Sequence, residues 1–122
     1  MLGYVTLGSN QFEKAAEFYD ALFEVCGASR LMDMDGFILW GKSIDSAGVA
    51  LSKPYNGEAA TVGNGVMAGI RADSADAVNA IYQKAIELGG SDEGEPGPRG
   101  DGFYAGYFRD LDGNKLNAFF LG

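Results

Sequence analysis

The chain has 122 residues, enough for one domain with its own core and too few for two independent ones. Hydrophobic residues make up 47% of it, so we expect a globular protein and not a disordered one. The net charge of −8 disfavours nucleic acid and anionic membranes as partners, since both would repel the surface. No signal peptide or transmembrane run is visible, and the single Cys26 excludes an internal disulfide. We therefore expect a cytoplasmic protein with Cys26 in its core.

A strand, a polar cap, an amphipathic helix and a glycine stop occur twice in the same order. Residues 4–27 (YVTLGSNQFEKAAEFYDALFEVCG) and 67–90 (MAGIRADSADAVNAIYQKAIELGG) superpose without a gap at an offset of 63 residues. A self-match at a fixed offset indicates a duplicated architecture. We predict one domain over residues 1–122 with two modules, the first about 1–55 and the second about 65–122.

The first module begins with alternating hydrophobicity over residues 2–8, which predicts a strand with one face on a core. Asn10, with Glu13 three residues later, predicts the N-cap and capping box of a helix that begins near Phe12 and ends at Gly27. Three short strands are predicted over residues 29–34, 36–41 and 47–52. Residues 53–65 contain Pro, Asn and Gly and form the connection between modules.

The second module repeats this order. A strand over residues 65–71 directs Val66, Ala68 and Ile70 to the core, and Asp73 or Ser74 caps a helix that runs to residue 88. Residues 91–102 hold an edge strand and a loop, and residues 103–109 and 115–121 are strands. The segment 110–114 between them begins like a calcium loop, but no bidentate acid follows at the required distance, which favours a turn.

Each module therefore follows the order β-α-β-β-β, and the pair predicts an α+β fold. About eight strands form a curved mixed sheet around a cleft, with both helices on the convex face. The side of the strands that faces the helices is entirely apolar, whereas the opposite side mixes small, polar, aromatic and charged residues. That opposite set is Tyr4, Thr6, Ala50, Ser52, Met67, Gly69, Arg71, Lys115, Asn117 and Phe119. A face of this composition makes a poor core and favours a ligand cleft over a plainly solvated surface.

Several other side chains lie on strands or loops that should flank this cleft. The aromatic candidates are Trp40, Phe103, Tyr104 and Tyr107, some of them for the ligand and some for the core. The pattern leaves open which face of strand 103–109 points inward. Arg71 and Lys115 either hold an anionic group or extend from the sheet edge into solvent. Arg99 and Asp101 could gate the cleft, although a plain surface loop is favoured.

The duplicated pattern resembles the vicinal oxygen chelate superfamily of glyoxalases, bleomycin resistance proteins and extradiol dioxygenases. The resemblance covers the whole chain and is carried by FEKAAEFYDALF, NGVMAGIRA and the closing RDLDGNKLNAFF; the glyoxalase-like branch is most similar. It implies a homodimer with clefts shared between subunits. Enzymes of this superfamily bind a divalent metal through one residue on each of four strands. The matching positions here are Tyr4, Ala50, Met67 and Asn117. They do not form a normal ligand set, and the chain contains no histidine, so we expect no metal and no other cofactor.

The function that the resemblance implies is therefore binding of a small, partly aromatic molecule in the sheet cleft, without a metal and without catalysis. The alternative is a lyase, isomerase or dioxygenase-like enzyme that uses side chains in place of the metal. In that case Tyr4 would be the general acid, and Arg71 or Lys115 would stabilise a developing anion. A third interpretation is a structural or regulatory protein whose cleft is vestigial.

Overall fold

The structure is a computed structural model that describes residues 1–122, with eight strands and two helices. The first module contains β1 (Tyr4–Gly8), α1 (Phe12–Val25), β2 (Ser29–Met34), β3 (Phe37–Gly41) and β4 (Gly48–Ser52). The second contains β5 (Ala68–Arg71), α2 (Ala75–Glu87), β6 (Ser91–Pro98), β7 (Phe103–Arg109) and β8 (Lys115–Leu121). The order β-α-β-β-β appears twice, which confirms the predicted α+β fold.

The strands form two four-stranded mixed sheets with the same topology. Their orders are β1-β4-β3-β2 and β5-β8-β7-β6, and in each sheet only the first pair is parallel. β1 and β5 are both edge strands, and no ladder of hydrogen bonds joins them. The predicted eight strands are thus divided into two sheets, and we call the gap between β1 and β5 the seam.

The core is a single cluster of 19 buried residues drawn from both helices and from the helix-facing sides of both sheets. α1 contributes the larger share with Ala15, Ala16, Phe18, Tyr19, Leu22 and Phe23. Leu22 and Leu116 are fully buried, and a buried leucine contributes roughly 1.5–3 kcal/mol relative to an exposed one. Because one cluster spans both modules, neither sheet has a separate core. Neither helix is both long enough and apolar enough to cross a membrane.

The helix starts differ from one another, and only one was predicted. Ser74 caps α2, because its Oγ accepts a hydrogen bond from the Ala77 N–H at 3.1 Å. The predicted cap of α1 is wrong: the N-cap is Gln11, without a side-chain bond. Asn10 instead binds the connecting segment through its side-chain oxygen and nitrogen, which contact the N–H and C=O of Ala60 at 2.7 and 3.0 Å.

The strand predicted over residues 65–71 is shorter, since β5 begins only at Ala68. Gly65 has a φ of +94° and Val66 donates its N–H to the Gly63 carbonyl, so a turn precedes the strand. The Val66 side chain is 61% exposed, so its predicted place in the core is wrong. The turn turns this segment away from the helices before the strand begins.

Candidate functional site

One end of the seam is closed by a group of hydrogen bonds, which we call the closed junction. The Tyr19 hydroxyl donates to Asp110 Oδ2 at 2.5 Å, and the Ser9 hydroxyl donates to Asp112 Oδ2 at 2.6 Å. Asn114 Nδ2 donates both to the Gly8 carbonyl and to Asp110 Oδ2, each at 2.9 Å. Burial raises the pKa of Tyr19 well above its ordinary value, and the Asp110 charge raises it further. These contacts fasten α1 and the end of β1 to the turn between β7 and β8.

The other end of the seam is open and forms a groove of about 510 Å³, which we call the seam groove. Its walls come from the starts of β1 and β4 on one side and from β5 on the other, and its floor includes Phe23 of α1 and Ile81 of α2. Sixteen of its 23 lining residues are hydrophobic. This volume and lining are typical of a small-molecule site. Five residues of the predicted site line it: Tyr4, Trp40, Met67, Gly69 and Arg71.

The second sheet presents a face of aromatic and polar side chains on the side away from α2. Strand register places Asn117 between Gly69 and Tyr107, and it pairs Phe119 with Arg71. The rings of Phe103 and Phe119 lie 5.6 Å apart on this face. Phe103 and Tyr107 thus share the face of Asn117, which answers the question that the sequence left open. We call this face, with Gly69, Tyr107, Asn117 and Phe119 at its centre, the aromatic face.

Asn117 is the most informative residue of the aromatic face. Its side chain is 3% exposed, and its Oδ1 is a buried atom without a hydrogen-bond partner. A Cβ placed on Gly69 would lie only 2.9 Å from this oxygen, so the bare glycine leaves it room. An unsatisfied buried acceptor costs roughly 1–3 kcal/mol. The fold therefore carries an acceptor that suits a donor from outside the chain.

The other predicted residues are divided between the two sides of the sheets. Thr6, Ala50 and Ser52 share one face of the first sheet, where Thr6 is exposed and Ala50 is fully buried. Trp40 lies on the helix-facing side, where its indole is 5.6 Å from the ring of Tyr19 and it reaches the groove only from within the core.

Tyr104 also lies on the helix-facing side, because its hydroxyl donates to Asn79 of α2 at 2.7 Å. Strand alternation already carried this signal, since Tyr104 shares the parity of the buried Phe108 and Trp40 that of the buried Ile38.

Cations surround the aromatic face without acidic partners. Lys115 and Arg99 each place their charged group 5.6 Å from the centre of the Tyr107 ring, which is cation–π geometry. Arg99 also donates to the Glu95 carbonyl at 2.7 Å, which ties the loop after β6 to its own strand. Arg71 is exposed, and neither it nor Lys115 takes part in any of the four ion pairs. The arrangement favours a ligand with an anionic group.

The four positions that match the metal ligands of the superfamily do not fit a metal ion. Ala50 offers no donor atom and is fully buried, and Met67 offers only a thioether. Asn117 supplies one neutral amide oxygen, and Tyr4 a phenol whose ring packs edge-on against Phe37 at 6.0 Å. Divalent metals at such sites need imidazole or carboxylate donors. Elsewhere, too, no three His, Cys, Asp or Glu side chains meet in a way that could hold a metal.

Two duplicated β-α-β-β-β modules that meet along a seam define a class of small-molecule-binding and enzymatic folds, and comparison with known proteins identifies the family. Residues 1–118 match the model of the Glyoxalase/Bleomycin resistance protein/Dioxygenase superfamily. The chain belongs to this superfamily. None of the proteins with a curated function matches it.

Solved structures support the same assignment. A glyoxalase/bleomycin resistance protein from Albidiferax ferrireducens is 33% identical, with a TM-score of 0.92 over 100% of this chain and 99% of the other. The fosfomycin resistance protein FosX from Mesorhizobium loti is 17% identical, with a TM-score of 0.71 over 100% and 92% of the two chains. Lactoylglutathione lyase from Agrobacterium tumefaciens is 18% identical, with a TM-score of 0.71 over 98% and 92%. The last two similarities show the fold alone.

Proposed function

We propose that this chain binds a small, partly aromatic molecule without a metal, between the seam groove and the aromatic face. The unpartnered Oδ1 of Asn117 carries the proposal, because a buried acceptor of this kind is stabilised when a ligand donates to it. Phe103, Tyr107 and Phe119 supply flat apolar surface beside it, which suits an aromatic ligand. The names of similar folds include both resistance and lyase functions, so they do not favour one reaction.

The absence of a fitting donor set supports the metal-free part of the proposal. A protein of this superfamily that holds Ala50 and Met67 at ligand positions would have to bind its ligand through hydrogen bonds and contact area alone. Elemental analysis of purified protein tests this directly. We expect zinc, iron, manganese and nickel at far less than one atom per chain, and one bound atom per chain would overturn the metal-free reading.

The binding part is tested by thermal shift, because a ligand that binds only the folded state raises its melting temperature. We would screen small aromatic molecules in the presence of EDTA and retest the positives on Asn117→Leu. This variant removes the unsatisfied oxygen at similar volume, so we expect it to melt higher than wild type in the absence of ligand and to lose the ligand-induced shift.

The matched control is Asn64→Leu, the same substitution at an exposed position without side-chain hydrogen bonds. It should leave the ligand-induced shift unchanged. Equal ligand-induced shifts in wild type and Asn117→Leu would contradict the role of Asn117. A screen without any positive would contradict the binding function itself.

The alternative, an enzyme without a metal, has one observation in its favour. Tyr4, 51% exposed, and the unpaired Arg71 line the same groove, so a phenol and a cation are available to one substrate. In such an enzyme Tyr4 would donate a proton and Arg71 would stabilise the developing negative charge. Turnover of a bound molecule that disappears in Tyr4→Phe while binding persists would favour this alternative.

We further propose that the protein acts in the cytoplasm as a homodimer. β1 and β5 each leave one edge without a partner strand, and Leu2, Val66 and Met67 beside these edges are exposed apolar residues. A second copy could cover both. Native mass spectrometry of the full chain should give twice the 12.9 kDa mass of one chain. A monomer across micromolar concentrations would contradict the dimer and leave the binding proposal to its own test.

A further inference from the structure

The two ends of the seam are equivalent by the internal duplication, yet only one is closed. The offset of 63 residues places Ser9 on Ala72, Asn10 on Asp73 and Tyr19 on Tyr82. Strand register sets the offset of the facing turn, because Ala50 pairs with Thr6 as Asn117 pairs with Gly69. The closed junction should therefore have a counterpart between the β3–β4 turn and the end of β5, and the seam groove occupies that place.

The residues of the closed junction are replaced one by one at this counterpart. The turn offset of 67 residues puts Ser43 in place of Asp110 and Ala47 in place of Asn114, while Ala72 stands in place of Ser9. Each replacement removes a donor or acceptor that the closed junction uses. No hydrogen bond joins the β3–β4 turn to the end of β5 or to α2, and the Tyr82 hydroxyl donates to Asp92 on its own sheet.

Charge also opposes closure at this end. Asp112 of the closed junction accepts from Asn10, whereas the equivalent pair would be Asp45 and Asp73, two like charges. The open end is thus built into the sequence and does not reflect missing mass: the turn is present, and its contacts are absent. What remains is an apolar space between Ala47, Ala72, Ala77 and Ile81.

Two of the nine cations in this acidic chain line the groove, Lys42 and Arg71, and neither forms an ion pair. The groove has one acidic lining residue, Asp73, so its local charge is opposite in sign to that of the whole protein. The Lys42 ammonium lies close enough to Cys26 in the groove wall to partly offset the effect of burial on the thiol. An anionic group in the groove would meet both cations.

We propose that the ligand is an amphipathic organic anion whose apolar body fills the open counterpart of the closed junction and whose anionic group lies near Lys42 and Arg71. This inference rests on the proposed binding function and adds where the ligand sits and what charge it carries. It assigns binding contacts to Lys42, Ala47, Ala72 and Ala77, which lie beyond the four strand positions of the superfamily's metal site.

The test compares two fluorescent probes of similar shape, the anionic 8-anilinonaphthalene-1-sulfonate and the neutral N-phenyl-1-naphthylamine. We expect the anion to bind wild-type protein at one site per chain and more tightly than the neutral probe. Lys42→Gln and Arg71→Gln should each weaken the anion about fivefold, the effect of one unit charge at contact distance in water, without changing the neutral probe. Lys14→Gln on the exposed side of α1 is the matched control and should change neither.

Ala77→Leu fills the floor of the groove and should weaken both probes at least tenfold, because the added methyl groups occupy the space of the apolar body. Circular dichroism and melting temperature report whether it folds, and Ala47→Leu at the exposed rim replaces it if it does not.

Equal affinity for the two probes, with Lys42→Gln unchanged, would overturn the anionic ligand. Unchanged binding in both groove-filling variants, with loss in Asn117→Leu, would place the ligand on the aromatic face, so that this inference would fail while the proposed function stands. If no molecule binds wild type, both fail.

Discussion

The Tyr19–Asp110 contact joins the two modules, and its removal should destabilise the whole domain. Tyr19 is fully buried, and its hydroxyl meets a carboxylate that is 5% exposed and has no cation beside it. Tyr19→Phe removes this donor with little change in volume. Asp110 keeps three other donors, the N–H groups of Asp112 and Asn114 and the Asn114 amide. A hydrogen bond to a charged group contributes ~1.5–3 kcal/mol, so we expect a loss of about 2 kcal/mol.

Urea unfolding monitored by circular dichroism measures this loss, and in a chain of this size it corresponds to roughly 8 °C in melting temperature. The internal duplication provides a matched control, Tyr82→Phe, because Tyr82 occupies the same position in α2 and donates to the exposed Asp92. Water can replace that partner, so the control should lose clearly less stability. If the two variants lose the same free energy of unfolding, the closed junction does not stabilise the fold more than an ordinary surface contact.

Two further predictions concern ionisable groups near the core. The guanidinium of Arg30, which donates to both Asp20 oxygens at 2.8 and 2.6 Å, lowers the pKa of Asp20 from its ordinary value near 3.8. The folded state therefore binds this proton less readily than the unfolded state, so the stability that Asp20 contributes is present above that value and is lost as pH falls below it. Unfolding free energies from pH 5 to 2.5 should fall less steeply in Asp20→Asn; parallel curves would contradict the prediction. Burial raises the pKa of Cys26 to about 11, so iodoacetamide at pH 7.5 should alkylate it roughly 100-fold more slowly than a free cysteine. A rate equal to that of glutathione would show that the thiol is accessible and ordinary.

Much of the fold was predictable because hydrophobic periodicity and the internal repeat agree over the whole chain. The strands over 103–109 and 115–121, the turn between them and the Ser74 cap follow from short-range patterns that tertiary contacts do not override. Asn10 was misjudged for the opposite reason. Its sequence neighbourhood matches a helix cap, but the connecting segment at Ala60 competes for the same side-chain atoms.

The candidate site was predictable only in part. Alternation placed Gly69, Arg71, Asn117 and Phe119 on one face, and the register bears this out. It could not show that β1 and β5 stay unpaired, because pairing between edge strands depends on how two modules dock and not on either strand's own pattern. The groove that results is lined by turn and helix residues such as Lys42 and Ala77, which carry no local signal of function.

Duplication followed by divergence explains why a rigid junction and an open groove occur in one small domain. A symmetric pair of closed junctions would weld the modules at both ends of the seam and leave no cavity, whereas two open ones would lose the contacts that now fasten α1 to the second sheet. With one of each, the domain keeps a fixed seam at Asp110 and can still admit a molecule at Ala72. Local rules of polar satisfaction are obeyed at the first place and broken at Asn117, and such departures are expected where a protein binds something. The asymmetry between Tyr19 and Tyr82 and the unsatisfied oxygen of Asn117 therefore point to the same functional side of the molecule.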